Sequence, residues 1–185
     1  MSGSYKRLLA RADEHFRKVA AAQPVNVTCG SGCSFCCYGL FEISAADVVV
    51  IGDALDTLDP RTRSRLVRKA RKIVKDTAHP AIGSISEEDK EAFFDQTAVV
   101  PCPALGDDGC CEIYESRPLV CRTFGLPLRD GDQTHDEVCE LNFQEAAPGE
   151  LQSAAWNLQW EDVVGSDDQY TVPQAIVLAA QSRRR

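Results

Sequence analysis

Nine cysteines in a chain of 185 residues constrain what can form here more than any other feature. Four sit together in C29GSGCSFCC37, as Cys29, Cys33, Cys36 and Cys37 with the spacing C-x3-C-x2-C-C. Cys102, Cys110, Cys111 and Cys121 form a second group, and Cys139 lies beyond it. A disulfide scaffold would be shorter, denser in cysteine and usually secreted. An odd count also fits complete pairing badly. Clustered cysteines in a reducing compartment point instead to metal binding or redox chemistry. Thiolates are soft ligands that suit Zn(II) and iron–sulfur centres. Ligands this close in sequence need a tight loop, and Gly30 and Gly32 supply the unusual backbone angles. A centre with four thiolates carries excess negative charge and needs donors or cations beside it. Arg117 and Arg122, flanking Cys121, are placed to supply them.

Side chains of adjacent residues point in different directions. Cys36 and Cys37, and likewise Cys110 and Cys111, can therefore serve different centres. Two arrangements stay open: two four-cysteine sites drawn from both loops, or one centre with spare buried thiols. The plainer reading makes some cysteines small core hydrophobes, most readily Cys110 and Cys139.

Composition narrows the classes further. Lys plus Arg is 20 and Asp plus Glu is 28, a net charge of −8. A chain this acidic is a poor non-specific binder of nucleic acid, whose phosphates favour a basic face. The longest apolar runs, 48–51 and 175–180, fall far short of the roughly 20 residues of a membrane span. The first residues read as an amphipathic helix and not as a signal peptide. The expectation is a cytoplasmic chain.

The elements expected are mostly helical. Tyr5, Leu8, Leu9, Ala12, Phe16, Val19 and Ala20 form an apolar stripe at helical spacing, which Pro24 ends. Residues 26–39 read as an irregular loop. Ser44 and Asp47 open a helix over about 45–58, and Asp59-Pro60 opens another to about 78. That helix carries eight of the 20 basic residues: Arg61, Arg63, Arg65, Arg68, Lys69, Arg71, Lys72 and Lys75. It reads as a solvated face, with a docking face for an acidic partner or RNA as the sharper alternative. Ser86 and Asp89 cap a helix over about 87–98. Residues 100–140 read as loops, with a short helix near Tyr114 and another over about 138–146. Trp156 and Trp160, four apart, are expected on the core, and Pro173 opens a last helix to about 181. The fold class expected is mainly α: a single compact helical domain over 1–185 with two irregular cysteine-rich metal-binding loops. Its cysteine core spans about 26–143, with helices 4–22 and 172–182 packed on it.

The spacing C-x3-C-x2-C, with Phe35 before its third cysteine, is similar to the cluster motif of radical SAM enzymes. The repeated strand–helix units of that family have no counterpart downstream. The stronger resemblance lies in the combination of C29GSGCSFCC37, C102PAL and C111EIYESRPLVCRTFG125. This combination resembles the YkgJ-like cysteine-cluster family of zinc- or iron-chelating proteins, to which flagellin lysine N-methylases are related. It brackets about residues 29–125. The resemblance implies Cys29, Cys33, Cys36, Cys37, Cys102, Cys111 and Cys121 as metal ligands, with Cys110 and Cys139 less firmly placed. It marks Tyr114, Arg117, Pro118 and Arg122 as the non-cysteine features. Tyr114, Arg117 and Arg122 are expected to support the ligands from behind, and Pro118 to stiffen the chain between them.

Three histidines, His15, His79 and His135, are far outnumbered by cysteines, which leans the expected cofactor towards an iron–sulfur cluster (4Fe-4S) over Zn(2+). His15 is expected at the surface and His79 in a turn. His135, four residues before Cys139, has a spacing known from zinc sites. Gly30-Ser31-Gly32 lacks the Lys-Ser/Thr of a phosphate loop. Asp107, Asp108, Asp130 and Asp132 read as turn chemistry. The sequence thus points to a metal-binding cysteine-cluster protein. A structural zinc protein, a metal carrier or sensor, and a cluster-dependent modifying enzyme akin to a lysine N-methylase stand as alternatives. The partners expected are a metal ion or cluster, no membrane, no nucleic acid, and a protein at the basic 61–75 helix.

Overall fold

A computed structural model describes residues 3–135, 139–157 and 169–182. The fold is mainly α. The helices are α1 (Gly3–Ala22), α2 (Ala45–Thr57), α3 (Pro60–Asp76), α4 (Glu87–Gln96), α5 (Leu119–Thr123), α6 (Pro148–Ala154) and α7 (Val172–Ser182). The short strands are β1 (Glu42–Ser44), β2 (Leu128–Asp130), β3 (Gln133–His135), β4 (Trp156–Asn157) and β5 (Gln169–Thr171). The chain divides into two units, each made of two stretches of sequence. The first comprises residues 1–33 and 119–165, and the second 34–118 and 166–185.

In the second unit the helix starts follow their expected signals. The Ser44 hydroxyl accepts from the Asp47 N–H while the Asp47 carboxylate accepts from the Ser44 N–H, a full capping box for α2. Asp59 accepts from the N–H groups of Arg61 and Thr62, and Pro60 occupies the first turn of α3, where its missing N–H costs nothing. Ser86 caps α4 through the Asp89 N–H. β1 and β5 pair antiparallel, Glu42 opposite Thr171 and Ser44 opposite Gln169. Each leads straight into a helix, so the ribbon sets α2 beside α7. α3 packs on α7 as well. Ile51, Leu55, Leu66, Ala70, Ala175 and Ile176 are fully buried in this unit. A second apolar cluster gathers Leu40, Ile82 and Phe93 against Ile73, Ile85, Phe94 and Val100.

His79 joins the end of α3 to β5. Its Nδ1–H donates to the Pro80 carbonyl at 2.8 Å, since a carbonyl can only accept. The Thr171 hydroxyl then donates to Nε2 at 2.7 Å. Burial, with Phe93 against the ring, holds the His79 pKa below its ordinary value and keeps the ring neutral.

In the first unit α1 packs on α5, and Val19, Val27, Leu126 and Ala154 form a core with Phe16, Ala20, Cys29 and Phe143 against it. β2 and β3 form a hairpin about Gly131, whose φ of 56° suits the turn, and β4 runs parallel to β2. His15, expected at the surface, is half-buried. It bonds the Ala154 carbonyl at 2.9 Å and meets the Trp156 ring edge-on. Trp156 is buried as expected, while Trp160 lies outside the described residues. The helix expected over 138–146 does not form over its described part, 139–146. Phe143 takes a positive φ of 54° and its N–H donates to the Asn26 carbonyl, so this stretch is drawn out of helical geometry onto the 26–29 loop.

Candidate metal centre

The second unit brings four thiols together. Cys36 and Cys37 lie on a 3-10 turn over Phe35–Cys37. The Cys102 N–H donates to the Cys37 carbonyl at 2.7 Å and the Gly39 N–H to the Val100 carbonyl at 2.9 Å, which lays 37–39 alongside 100–102. Gly39 has a φ of 92°, and a Cβ there would stand 3.3 Å from the Ala98 carbonyl oxygen, so the close approach needs glycine. The Glu112 N–H donates to the Ala104 carbonyl at 2.8 Å, folding Cys111 back towards Cys102. An electrostatic interaction links each pair among Cys36, Cys37, Cys102 and Cys111.

Their proton affinities reflect this crowding. Cys36 is held below the ordinary thiol range, first by a hydrogen bond with the Cys37 thiol and then, among other causes, by the charge of Arg117. Cys37, the other partner in that bond, is pushed up by it, by burial and by the three neighbouring sulfurs. Burial pushes Cys102 up to about 12 and also raises Cys111, where Arg117 opposes the rise. The three raised thiols, Cys37, Cys102 and Cys111, hold their protons more tightly than ordinary thiols. A soft divalent ion would replace those protons. The donor set therefore fits a thiophilic metal. Among the described residues, no three His, Cys, Asp or Glu side chains are yet arranged as a coordination sphere.

Two expected non-cysteine residues flank this group. The Arg117 guanidinium lies 3.9 Å from the centroid of the Tyr114 ring and donates to the Tyr114 carbonyl at 2.9 Å. The ring thus holds in place the cation that acts on Cys36 and Cys111. Pro118 is buried at the end of this segment. Arg122 belongs to the first unit. It is 4% exposed and forms an ion pair with Asp13 of α1.

A model of the CxxCxxCC family, described as a "Putative zinc- or iron-chelating domain", matches residues 28–140. The chain belongs to the CxxCxxCC family. No curated protein and no solved structure matches the chain. The end of the family's pattern, CxxCC, falls here on Cys33, Cys36 and Cys37, while Cys29 precedes Cys33 by three intervening residues.

The remaining cysteines of this CxxCxxCC chain are placed differently. Cys29, Cys33, Cys121 and Cys139 lie in the first unit, Cys33 exposed and the other three half-buried. Cys110 is exposed in the second unit, and none of the nine is in a disulfide. His135 is exposed on β3, paired with Leu128. The basic helix is partly turned to the cysteine loop: Arg65 pairs with Glu112, and Lys69 donates to the Leu105 carbonyl at 2.9 Å. Arg61, Arg68, Arg71, Lys72 and Lys75 are exposed. Sequence reasoning missed the tethering role of Arg65 and Lys69, because only the fold reveals which side of α3 meets residues 102–112. It also missed Asn142, three residues after Cys139 and buried.

Proposed function

We propose that the chain binds a thiophilic metal ion through Cys36, Cys37, Cys102 and Cys111, with zinc as the resident ion. The observation that carries this reading is the backbone pairing that lays the Cys36–Cys37 turn alongside Cys102, with the Glu112 N–H to Ala104 carbonyl bond folding Cys111 back towards them. Four thiolates drawn from two loop segments match the closed four-cysteine coordination of structural zinc sites. Arg117, held by Tyr114, offsets part of the thiolate charge. Arg65 and Lys69 fix the 102–112 loop against α3. The ion would then tie the 36–37 turn to the 102–111 loop and contribute to folding.

The test is anaerobic purification with metal analysis, sulfide analysis and a visible spectrum on one sample. Colourless protein with stoichiometric zinc and no sulfide is the expected result. Brown protein with iron and acid-labile sulfide would replace this reading with the iron–sulfur one, which the excess of cysteines over histidines favours.

A further inference from the structure

We infer that the first unit holds a thiolate metal site of its own, formed by Cys29, Cys33, Cys121 and Cys139 and organised by the buried amide of Asn142. This shares with the proposed function only the premise that thiolates of this chain take a metal ion. The two claims fail separately.

Asn142 is 5% exposed and meets every segment that carries these cysteines. Its backbone N–H donates to the Cys139 carbonyl at 3.1 Å. Its Oδ1 accepts from the Thr28 N–H and the Thr28 hydroxyl, both at 3.0 Å. Its Nδ2 donates to the Gly125 carbonyl at 2.8 Å and to Cys29 Sγ at 3.3 Å. The orientation of the amide follows from its partners. A backbone N–H can only donate and a backbone carbonyl can only accept, so Oδ1 must face Thr28 and Nδ2 must face Gly125. The second Nδ2 hydrogen is thereby available to the Cys29 sulfur, and Oδ1 stands farther off, at 3.8 Å.

A fixed N–H donor aimed at sulfur stabilises a thiolate more than a thiol, because a hydrogen bond to an ionised acceptor is about twice as strong as a neutral one. Donors of this kind orient metal ligands and tune them. The segments that carry Cys121 and Cys139 adjoin the same amide. Gly125 follows Cys121 by four residues, and the Phe124 N–H to Val120 carbonyl bond continues the turn of α5 between them. Gly125 has a φ of 91°, and a Cβ there would stand 2.7 Å from Asn142 Nδ2 and 3.4 Å from Cys29 Sγ. The absent side chain is what lets amide and sulfur meet. Beyond Cys29, Gly32 takes a φ of 86° and the Cys33 N–H donates to the Gly30 carbonyl at 3.1 Å, turning Cys33 back towards Cys29. Four of the nine cysteines then belong to each unit's group, and Cys110 is the one left over.

The test is Co(II) titration of the full chain, read by thiolate-to-metal absorption and by competition with a chromophoric chelator. Wild type is expected to take two equivalents. Cys29→Ser/Cys121→Ser and Cys36→Ser/Cys102→Ser are each expected to take one. In the Cys36→Ser/Cys102→Ser background, Asn142→Asp is expected to weaken the remaining ion roughly 10–100-fold and to shift its charge-transfer band. A purely structural Asn142 would leave that band in place. A Cys29→Ser/Cys121→Ser chain that binds as many ions as wild type overturns the second site whatever becomes of the first. A Cys36→Ser/Cys102→Ser chain that still binds two ions overturns the proposed function and leaves the second site standing.

Discussion

The two thiol groups are built in opposite ways. In the second unit backbone pairing of 37 with 102, and of 104 with 112, gathers four thiols that act on one another's proton affinity. In the first unit a buried amide, Asn142, joins the backbone of three segments and offers an N–H to a single sulfur. The contrast teaches that clustered cysteines need a second component to stay clustered without a metal. That component is backbone pairing between two loops in one unit and a neutral hydrogen-bond hub in the other.

Removing the ion gives the largest test of the contrast. Chelation is expected to destabilise the second unit most, because the ion would tie the 36–37 turn to the 102–111 loop. Cys37→Ser should cost more affinity than the roughly 10–100-fold of a lost supporting contact, while Cys110→Ser should leave affinity unchanged. Binding should also weaken as pH falls, since the raised Cys37, Cys102 and Cys111 thiols must lose protons to the ion. Isothermal titration at several pH values measures both effects.

Core truncations come next. Leu66→Ala in the second unit and Leu126→Ala in the first should each cost about 2–5 kcal/mol in denaturant unfolding. Only Leu126→Ala should also raise the alkylation rate of Cys29, because Leu126 belongs to the core that packs on it. Gly125→Ala sharpens the comparison further. Its Cβ meets the Asn142 amide, and a cost of about 1–3 kcal/mol is expected. Gly39→Ala, against a backbone oxygen in the second unit, makes the matching variant.

The smaller effects lie away from both thiol groups. Ser44→Ala should cost about 1 kcal/mol through loss of the α2 cap. His79 has its folded pKa below its ordinary value, so its contribution is complete above that ordinary value and is lost as pH falls through the lower folded one. His79→Gln should flatten the acid limb of a stability–pH curve between those two values.

Much of the fold is legible in the sequence wherever the signal is local. Ser44 with Asp47, Asp59 with Pro60, and Ser86 with Asp89 each open a helix where their side chains can reach a nearby N–H. The α1 stripe and the α7 start behave alike. What stays hidden depends on partners far away in sequence. β1 is three residues long and pairs with β5, residues 169–171, so no alternation within it could reveal the ribbon. The 139–146 stretch has helical composition, but its backbone is claimed by Asn26 and its Asn142 side chain by Thr28 and Gly125. At the site, the grouping of Cys36 and Cys37 with Cys102 and Cys111 follows from backbone pairing of 37 with 102, which spacing alone leaves open. Arg122 illustrates the same limit. Its ion pair with Asp13 of α1, 109 residues away, could not be read from its place beside Cys121.

The ribbon between β1 and β5 has a consequence for synthesis of the chain. α7 completes the core over α2 and α3, and its first residue, 172, follows Cys111 by 61 positions. At about 5–20 residues per second, the ribosome needs roughly 3–12 seconds to cover that distance. During this interval all five thiols of the second unit have been made, while Ile51 and Leu66 still lack the helix that will bury them. A nascent chain is therefore exposed to metal and to oxidant before it has a finished core.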